Sequence, residues 1–464
     1  VTAPDGGKFE IPVGKKTEIK SPALWWPNGL GAQPLYTVTV TATAGGSVVD
    51  EKSKRIGLRT LKLIRNRDKW GESFYHEVNG VPFFAMGADY IPEDNLLPRI
   101  NRERTYKLLL QAKNANHNCV RVWGGGYYPS EDFYDLCDKY GLYVLAEANV
   151  ECHGNTGLSS VDKFKAAMVE RNQRHVLTMR NHSCICFWSF GNESGGGNNF
   201  EAVSKAIKAL DTTRLTHYEG NSTWSDVTST MYGSVESMEN IGRERQNEAS
   251  SGKKPRPHVQ CENTHAMGNS MGNQREFYNI YEKYPALAGE FIWDWKDQGL
   301  EMPVPGNSSK TYWAYGGDFG DNPNDGNFCT NGVIFADYTY SAKAYNVKKI
   351  YQPADFVMTD SIKGIFTIKN KTAFTNLSKY DFSYEILEDG IRIKDGKLDV
   401  DLAAARSKNV TLGNLLPENA QKDAEYFIRF SVRQREATDW AEAGYEVASE
   451  QFCLRRAVEK QVYP

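Results

Sequence analysis

The alternation of short apolar runs with helical stretches between residues 76 and 350 constrains the fold more than any other feature. Short runs of apolar, β-branched and aromatic residues are typical of buried parallel strands, and the stretches between them have helical spacing. Eight such units in about 270 residues predict a (β/α)8 TIM barrel. The predicted strands cover residues 83–89, 119–123, 142–147, 185–190, 215–219, 227–232, 258–262 and 287–293. The predicted helices cover residues 102–115, 130–140, 161–181, 200–210 and 274–284.

The segments that flank the predicted barrel have the pattern of strands without helices. Alternating polar and apolar residues between turns rich in Gly, Asn and Pro predict an immunoglobulin-like β-sandwich on each side. The predicted domains are therefore a β-sandwich at 1–75, the barrel at 76–350 and a second β-sandwich at 351–464. We expect Trp25 and Trp26 to anchor the first β-sandwich on its neighbour, with sugar stacking as the alternative. The predicted flanking strands include residues 9–13, 35–41, 47–50, 355–359, 364–369, 380–386 and 427–433.

The composition argues against two classes of binding partner, nucleic acids and membranes. The 55 basic and 58 acidic residues nearly balance, so the chain has no electrostatic footprint for nucleic acid. No apolar run approaches the ~20 residues that a membrane-spanning helix requires. Aromatic residues make up 12% of the chain, which fits a large aromatic core and also the stacking of sugar rings. The 8 cysteines show no framework spacing, so we expect free thiols and leave the cytoplasm and the periplasm both open.

Two glutamates follow predicted barrel strands that are far apart in the sequence. Glu193 lies in the Gly-rich segment 191–197 after the fourth strand, and Glu262 ends the seventh. The carboxyl ends of barrel strands form the mouth where such barrels carry catalytic groups. Alone, Glu193 fits a solvated turn as well as a catalytic site. The second carboxylate in the same setting favours a glycosidase, which needs one carboxyl group as acid and another as nucleophile or base.

Longer motifs resemble glycoside hydrolase family 2. Those after residue 140 resemble the bacterial β-galactosidases of that family, and those before it resemble its β-mannosidases. A natural sequence and a recombinant of the two lineages would both give this pattern. The galactosidase-like motifs are GLYVLAEANVECHG (141–154), WSFGNES (188–194), CENTHAMGN (261–269), FIWDWKDQ (291–298) and YGGDFGD (315–321). The mannosidase-like motifs are LWWPNGL (24–30), WGESFY (70–75), NGVPFFAMGADYIP (79–92) and VRVWGGG (120–126).

The resemblance implies a retaining mechanism with two catalytic glutamates. Glu193 would be the general acid/base, and Glu262 would be the nucleophile that forms a covalent glycosyl-enzyme. Asn192 would hydrogen-bond the 2-hydroxyl of the sugar, and Tyr232 would donate a hydrogen bond to Glu262.

The resemblance assigns two more residues to the sugar pocket. His265 would bind sugar hydroxyls, and Trp293 would form the floor of the pocket. Core packing is the alternative for Trp293 and for Tyr232, and a hydrogen-bonded loop histidine is the alternative for His265.

The resemblance also implies two cation sites. Glu151, His153 and Glu193 match the family's Mg²⁺ site beside the acid/base, and carboxylate-rich ligation suits such a hard cation. Phe328 and Asn331 match two ligands of a monovalent cation, Na⁺ or K⁺. The third ligand comes from a jelly-roll domain that we do not recognise in this sequence, so we expect that site to be weak.

The mannosidase-like segments bear on specificity. Asp89 and Trp123 match residues that shape the sugar subsite of the β-mannosidases, and Arg121 is assigned to the same subsite. We expect a retaining exo-β-glycosidase that acts on β-D-galactosides or oligosaccharides. A β-mannosidase and a folded, nearly inactive carbohydrate-binding scaffold are the alternatives. A homo-oligomer is compatible with the sequence.

Overall fold

The structure of the chain, a computed structural model, describes residues 1–68, 71–372 and 375–458. These residues form two compact units. The first unit comprises residues 1–28, 32–113 and 117–346, and the second comprises 29–31, 114–116 and the chain from 347 onward. The predicted domain boundaries at residues 75 and 350 stay predictions. Residues 459–464 of the predicted third domain lie outside the described residues.

Five strands precede the barrel in two small antiparallel sheets. They are β1 (Tyr36–Ala44), β2 (Ser47–Ile56), β3 (Leu61–Asp68), β4 (Gly71–Val78) and β5 (Val81–Pro82). β1 pairs with β2, and β4 pairs with both β3 and β5. The predicted strand at residues 9–13 is wrong, since this segment is coil and turn. Pro12 has no N–H for a ladder, and its carbonyl accepts instead from the backbone N–H of Lys15.

Eight parallel strands then form one sheet, which confirms the predicted barrel. They are β6 (Ala85–Tyr90), β7 (Cys119–Val122), β8 (Tyr143–Glu147), β9 (Ile185–Ser189), β10 (Leu215–His217), β11 (Thr228–Met231), β12 (His258–Asn263) and β13 (Leu287–Ile292). Hydrogen-bonded neighbours follow the order β10–β9–β8–β7–β6–β13–β12–β11. Most residues of these strands other than β11 are buried, since the barrel interior and the outer helices cover both faces.

The seam of the barrel lies between β10 and β11. No ladder joins these two strands, but the backbone N–H of Asp226 donates to the carbonyl of Thr216 at 3.0 Å. Nε2 of His217 also lies 2.9 Å from Oγ of Ser229 on β11. Polar side chains therefore close the barrel where its backbone ladder is interrupted.

Seven helices accompany these strands in the described residues. They are α1 (Arg102–Asn114), α2 (Glu131–Tyr140), α3 (Asp162–Met179), α4 (Asn199–Leu210), α5 (Val235–Ser250), α6 (Gln274–Lys283) and α7 (Ala342–Ile350). The sequence pattern predicts five of them within a few residues but misses α5 and α7. Only Met238 and Gly242 of α5 are buried, so this helix has almost no apolar face to recognise. None of the described helices is long and apolar enough to cross a membrane.

Trp25 anchors the N-terminal strands on the barrel, as predicted. Its side chain is fully buried, and Nε1 donates to the carbonyl of Asp138 on α2 at 2.6 Å. Its ring lies 5.2 Å from the ring of Tyr143 on β8. Arg59 donates to the carbonyl of Ile185 at the start of β9 and to the carbonyl of Ser183. The N-terminal strands therefore support the end of the barrel opposite its mouth.

Nine further strands complete the described chain. A hairpin follows the barrel, formed by β14 (Leu300–Val304) and β15 (Asn307–Ala314). The second unit holds β16 (Ala354–Asp360), β17 (Ile365–Asn370), β18 (Tyr380–Glu388), β19 (Ile391–Leu398), β20 (Ser407–Thr411), β21 (Tyr426–Gln434) and β22 (Glu446–Arg455). Its two sheets have the orders β16–β17–β20 and β19–β18–β21–β22. Phe356 of the first sheet stacks on Phe430 of the second at 4.7 Å, which is the packing of the predicted β-sandwich.

The burial of Trp25 predicts a large loss of stability on truncation. We expect Trp25→Ala to lower the free energy of unfolding by about 3–5 kcal/mol, because it leaves a cavity and an unpaired carbonyl. Trp313→Ala is the control, since Trp313 is 38% exposed and should cost far less. Urea denaturation followed by fluorescence measures both variants. Similar losses in the two variants would contradict the anchoring role of Trp25.

Candidate active site

Five carboxylate side chains lie at the carboxyl ends of the barrel strands. Asp89 lies in β6, Glu147 ends β8, Glu193 follows β9, Glu219 follows β10 and Glu262 lies in β12. Because the strands are all parallel, these residues share one mouth. So many like charges at one place need a cation or protons to compensate them.

Arg121 of β7 supplies that cation. Its Nη1 donates to Asp89 Oδ1 at 2.9 Å and to Glu262 Oε1 at 3.1 Å. Its Nη2 donates to Glu147 Oε1 at 2.9 Å and to Asn192 Oδ1 at 2.6 Å. Its Nε donates to the second oxygen of Glu147 at 3.2 Å. One guanidinium thus joins side chains from three strands and from the loop after β9.

The assignment of Arg121 to the sugar subsite stays a prediction, and the structure shows which protein groups its side chain contacts. The side chain is fully buried, and each of its three nitrogens donates to a protein acceptor. Burial alone would lower the pKa of Arg121, but the charges of Glu147 and Asp89 outweigh burial and raise it well above its ordinary value. Burial raises the pKa of Glu147 to about 7 and that of Asp89 well above its ordinary value, although Arg121 opposes both shifts. Arg121 therefore holds the carboxyl groups of Asp89, Glu147 and Glu262 in place.

Glu262 is held on both of its oxygens. Oε1 accepts from Arg121 at 3.1 Å, and Oε2 accepts from the hydroxyl of Tyr232 at 2.7 Å. Burial raises the pKa of Glu262, while Arg121 and Tyr232 oppose the shift and the charge of Glu193 adds to it. Tyr232 itself has a positive φ of 50°, which is uncommon for a bulky residue. The predicted contact between Tyr232 and Glu262 is present, and it favours the ionised carboxylate.

The loop that carries Glu193 is tightly constrained. Glu193 has a positive φ of 38°, and its backbone N–H donates to Glu219 Oε1 at 2.9 Å. A Cβ on Gly191 would lie only 2.4 Å from the carbonyl of Val150, so this position must be glycine. Nδ2 of Asn192 lies 3.3 Å from Glu193 Oε2. Strained backbone of this kind is characteristic of functional sites, where neighbouring structure holds it in place.

The three residues assigned to Mg²⁺ lie close together. One ligand atom from each of Glu151, His153 and Glu193 lies within 4.8 Å of the others. Nδ1 of His153 is 2.8 Å from Glu151 Oε1, and this hydrogen bond raises the pKa of the imidazole. Glu151 Oε2 also accepts from Nδ2 of Asn192 at 2.5 Å. Two carboxylates and one imidazole around an accessible point fit a hard divalent cation.

Aromatic rings line the mouth. Trp123 and Trp293 meet edge to face with ring centroids 5.4 Å apart. The ring of His265 lies 5.9 Å from Tyr232 and 5.8 Å from Phe328. Tyr232 is 46% exposed and Phe328 is 58% exposed, so these rings are not part of a closed core. The structure therefore brings the predicted aromatic residues together around the carboxylates.

Two buried oxygens near the mouth lack a hydrogen-bond partner among the described residues. They are Oδ2 of Asp89 and Oδ1 of Asn331. Nδ2 of Asn331 donates to the carbonyl of Phe328 at 3.1 Å, so the two residues assigned to the monovalent cation are adjacent. Each free oxygen can accept from a ligand hydroxyl or bind a cation, and each fits its predicted role in this respect.

Sequence reasoning missed Glu147 and Glu219 as members of the site. Both residues end predicted strands, which is the signal that identified Glu193 and Glu262. The signal was sufficient to place their carboxylates at the mouth. It could not show that Arg121 would hold Glu147 or that Glu219 would bind the backbone beside Glu193.

Comparison with known proteins identifies three matching regions. Residues 100–356 match the family described as "Glycosyl hydrolases family 2, TIM barrel domain". Residues 2–59 match "Glycosyl hydrolases family 2", and residues 366–455 match "Beta-galactosidase, domain 4". The first of these matches alone covers more than half of the chain.

Several β-galactosidases align with nearly the whole chain. That of Priestia megaterium is 37% identical over 461 residues, which cover 95% of this chain and 42% of the relative. That of Clostridium acetobutylicum is 34% identical over 447 residues, which cover 91% of this chain and 46% of the relative. The chain therefore spans less than half the length of these relatives. The alignments also run across residue 140, where the sequence motifs change character.

Solved structures share the fold. The β-D-mannosidase from Dictyoglomus thermophilum matches with a TM-score of 0.56 and 20% identity, over 95% of this chain and 59% of that chain. The Parabacteroides merdae β-glucuronidase matches with a TM-score of 0.58 and 16% identity, over 100% of this chain and 59% of that chain. At such low identities the likeness concerns the fold alone.

The Arg121 cluster predicts a stability that depends on pH. We expect Arg121→Met to lower the free energy of unfolding by about 3–5 kcal/mol near pH 8, because it leaves buried carboxylates unpaired. A carboxyl group whose pKa is raised in the folded state stabilises at low pH, and this stability is lost as the pH rises through that pKa. The burial-raised pKa values of Glu147 and Asp89 would rise further without Arg121, so the loss should be smaller near pH 5.

The matched control for this prediction is Arg435→Met. Arg435 is exposed and pairs with Asp381 at 2.9 Å, and such surface pairs contribute about 0–1 kcal/mol. Urea denaturation at both pH values measures the two variants. A loss for Arg121→Met that is independent of pH would contradict the view that Arg121 compensates carboxylate charge.

Proposed function

The chain belongs to glycosyl hydrolase family 2, and from this premise we propose that it is a retaining exo-β-glycosidase for terminal β-D-galactosides. The observation that carries the proposal is the pair Glu193 and Glu262 at one barrel mouth, each held in a defined environment. The relatives that align with most of the chain are described as β-galactosidases, which supports galactoside as the substrate class.

The proposed reaction has two steps, which use the two glutamates differently. Glu262 attacks the anomeric carbon while Glu193 gives a proton to the leaving oxygen, and a covalent glycosyl-enzyme results. Glu193 then removes a proton from water, which attacks the same carbon and releases the sugar with its configuration retained. This mechanism requires the two carboxyl groups to lie about 5–5.5 Å apart when substrate is bound.

The environment of Glu262 suits a nucleophile. Arg121 and the Tyr232 hydroxyl both hydrogen-bond the ionised form, so they oppose the effect of burial on the pKa of Glu262. They also fix the orientation of both oxygens before substrate arrives. The amide of Asn192, beside Glu193, is the proposed partner of the 2-hydroxyl of a bound sugar.

We propose that Glu151, His153 and Glu193 bind Mg²⁺. A divalent cation there would supply positive charge beside the acid/base and so would change its acidity. His153 would bind through a neutral imidazole, so protons compete with the metal at low pH. Asn192 holds Glu151 from the opposite side and would fix the orientation of that ligand. Asn331 and the carbonyl of Phe328 are the proposed ligands of a monovalent cation.

A β-mannosidase is the second candidate function. It is favoured by the free Oδ2 of Asp89, a buried acceptor in a segment that resembles the β-mannosidases. Trp123, in the other such segment, packs on Trp293 at the mouth. Galactose and mannose differ in which hydroxyl is axial, so an acceptor at this position can select between them.

Hydrolysis of chromogenic substrates tests the proposal directly. We expect release of nitrophenol from the β-galactoside in preference to the β-mannoside. Glu262→Gln should reduce this activity by about 1,000-fold or more, because the amide cannot act as the nucleophile. The measurement is kcat/KM for both substrates with Mg²⁺ present.

Glu193→Gln is the matched control for the acid/base assignment. General acid catalysis contributes about 10²–10⁴-fold, but a nitrophenolate leaving group needs little protonation. The variant should therefore lose far more activity on an alkyl galactoside than on the nitrophenyl one. Preference for the mannoside would favour the second candidate. Absence of hydrolysis of either substrate by the correctly folded protein would leave a carbohydrate-binding scaffold.

The metal assignment predicts a loss of Mg²⁺ affinity on substitution of Glu151. We expect Glu151→Gln to weaken Mg²⁺ binding by about 10–100-fold, as the site loses a charged ligand. Calorimetric titration of the chelated protein measures the affinity. Glu201→Gln, which removes an exposed carboxylate that pairs with Lys205, is the control and should bind normally. Equal Mg²⁺ affinities in the two variants would contradict the assignment of Glu151 as a metal ligand.

A further inference from the structure

A chain of buried polar groups crosses the interior of the barrel beneath the proposed catalytic residues. Glu147 Oε2 lies 2.8 Å from Ser189 Oγ, and Ser189 Oγ lies 2.8 Å from His217 Nδ1. His217 Nε2 lies 2.9 Å from Ser229 Oγ, which is 2.8 Å from the carbonyl of Val259. The chain runs from β8 across β9, β10 and β11 to β12. All of its side chains are buried.

The directions of these hydrogen bonds restrict where the protons lie. The carbonyl of Val259 can only accept, so Ser229 donates to it and must accept from a proton on His217 Nε2. A neutral His217 then has a lone pair on Nδ1, which Ser189 satisfies by donating its own proton. Ser189 has no second proton for Glu147. The arrangement is complete only if Glu147 is protonated and donates to Ser189.

We propose that Glu147, Ser189 and His217 form a positioning triad with one mobile proton, which sets the charge that Glu262 experiences through Arg121. The inference rests on the nucleophilic role proposed for Glu262. Arg121 is the physical link, since Nη2 binds Glu147 and Nη1 binds Glu262. When Glu147 is neutral, more of the guanidinium charge is available to stabilise the carboxylate of Glu262.

Loss of the proton from Glu147 reverses the chain. Ser189 must then donate to the ionised Glu147, so it must accept from a proton on His217 Nδ1. His217 can meet this demand by becoming charged or by moving its proton from Nε2 to Nδ1. Burial and the nearby charge of Arg121 lower the pKa of His217 well below its ordinary value, so the ring stays neutral. The geometry therefore demands a change of tautomer, in which Ser229 turns from Val259 to donate to His217.

Several titratable groups surround the triad. Arg121 stays charged, and burial raises the pKa of each of the nearby carboxyl groups of Asp89, Glu219 and Glu262. Burial raises the pKa values of Tyr128, Tyr218 and Cys261. Burial lowers the pKa of the His258 imidazole to about 4. These four side chains therefore stay neutral near pH 7.

Burial raises the pKa of Glu147 to about 7, so the change should occur near neutral pH. The first measurement is nitrogen NMR of protein labelled at histidine, in which His217→Gln identifies the resonances of His217. We expect a neutral ring with its proton on Nε2 below about pH 7 and on Nδ1 above it. A single tautomer, or a charged ring, throughout the range from about pH 5 to about pH 9 would overturn the triad.

Two variants make the NMR test specific. Ser189→Ala breaks the connection between Glu147 and His217, so the tautomer should no longer follow the ionisation of Glu147. Ser204→Ala is the matched control, because Ser204 is also buried but donates to the carbonyl of Trp224 on the outside of the barrel. This control should keep the change of tautomer. Persistence of the change in Ser189→Ala would contradict the proposed connection.

The effect on Glu262 is measured with Glu147→Gln, which fixes a neutral group at this position. We expect the kcat/KM profile to lose the inflection that ionisation of Glu147 gives near pH 7, because Arg121 no longer shares its charge with an ionised Glu147 at any pH. A merely structural role would lower kcat/KM and leave this inflection in place, and that result would overturn the link to Glu262.

The two measurements separate this inference from the proposed function. NMR detects the tautomer of His217 without substrate, so it tests the triad even if no glycoside is hydrolysed. A change of tautomer in a protein without glycosidase activity would contradict the proposed role of Glu262 and leave the proton arrangement established. Glycosidase activity in a protein whose His217 keeps a single tautomer would support the role of Glu262 and contradict the triad. Ser189→Ala provides the second variant if Glu147→Gln fails to fold.

Discussion

The buried guanidinium of Arg121 is the interaction on which the mouth of the barrel depends. Removing such a charge from water is costly, and only close opposite charges with complete hydrogen bonding offset that cost. Arg121 meets this condition through Asp89, Glu147 and Glu262 and through the amide of Asn192. The same contacts place the proposed nucleophile. Stability and positioning in this site therefore arise from one set of hydrogen bonds.

Backbone geometry holds Glu193 in place, whereas Arg121 holds Glu262 in place. The positive φ of Glu193 turns its side chain away from the direction that a regular strand end would give. Glu219 holds the backbone N–H of Glu193, and the close approach of Val150 leaves room only for glycine at position 191. A carboxyl group that is held through its backbone can keep its own oxygens free for a proton, a metal or a substrate. The two glutamates are thus held in different ways, in accordance with their different proposed roles.

The sequence predicts the barrel well because most of its strands are short apolar runs that need burial on both faces. It also places Glu193 and Glu262 at one mouth, since parallel strands share their carboxyl ends. It fails for α5, which buries too few residues to show helical periodicity. It does not identify the partners of Arg121, because a single arginine in a strand carries no local sign of them. Contacts between strands that lie 141 residues apart, as for Arg121 and Glu262, are fixed by barrel closure and not by local pattern.

Different interactions stabilise the two ends of the barrel, so the contacts that anchor the fold are separate from the proposed catalytic groups. At the amino ends of the strands, Trp25 packs on Tyr143, and Arg59 binds the carbonyl of Ile185. These contacts involve no proposed catalytic group. At the carboxyl ends, buried charges and strained backbone concentrate, and such features cost stability that the other end must offset. Substitutions at the mouth can therefore alter the proposed site while the anchoring contacts at the opposite end preserve the barrel.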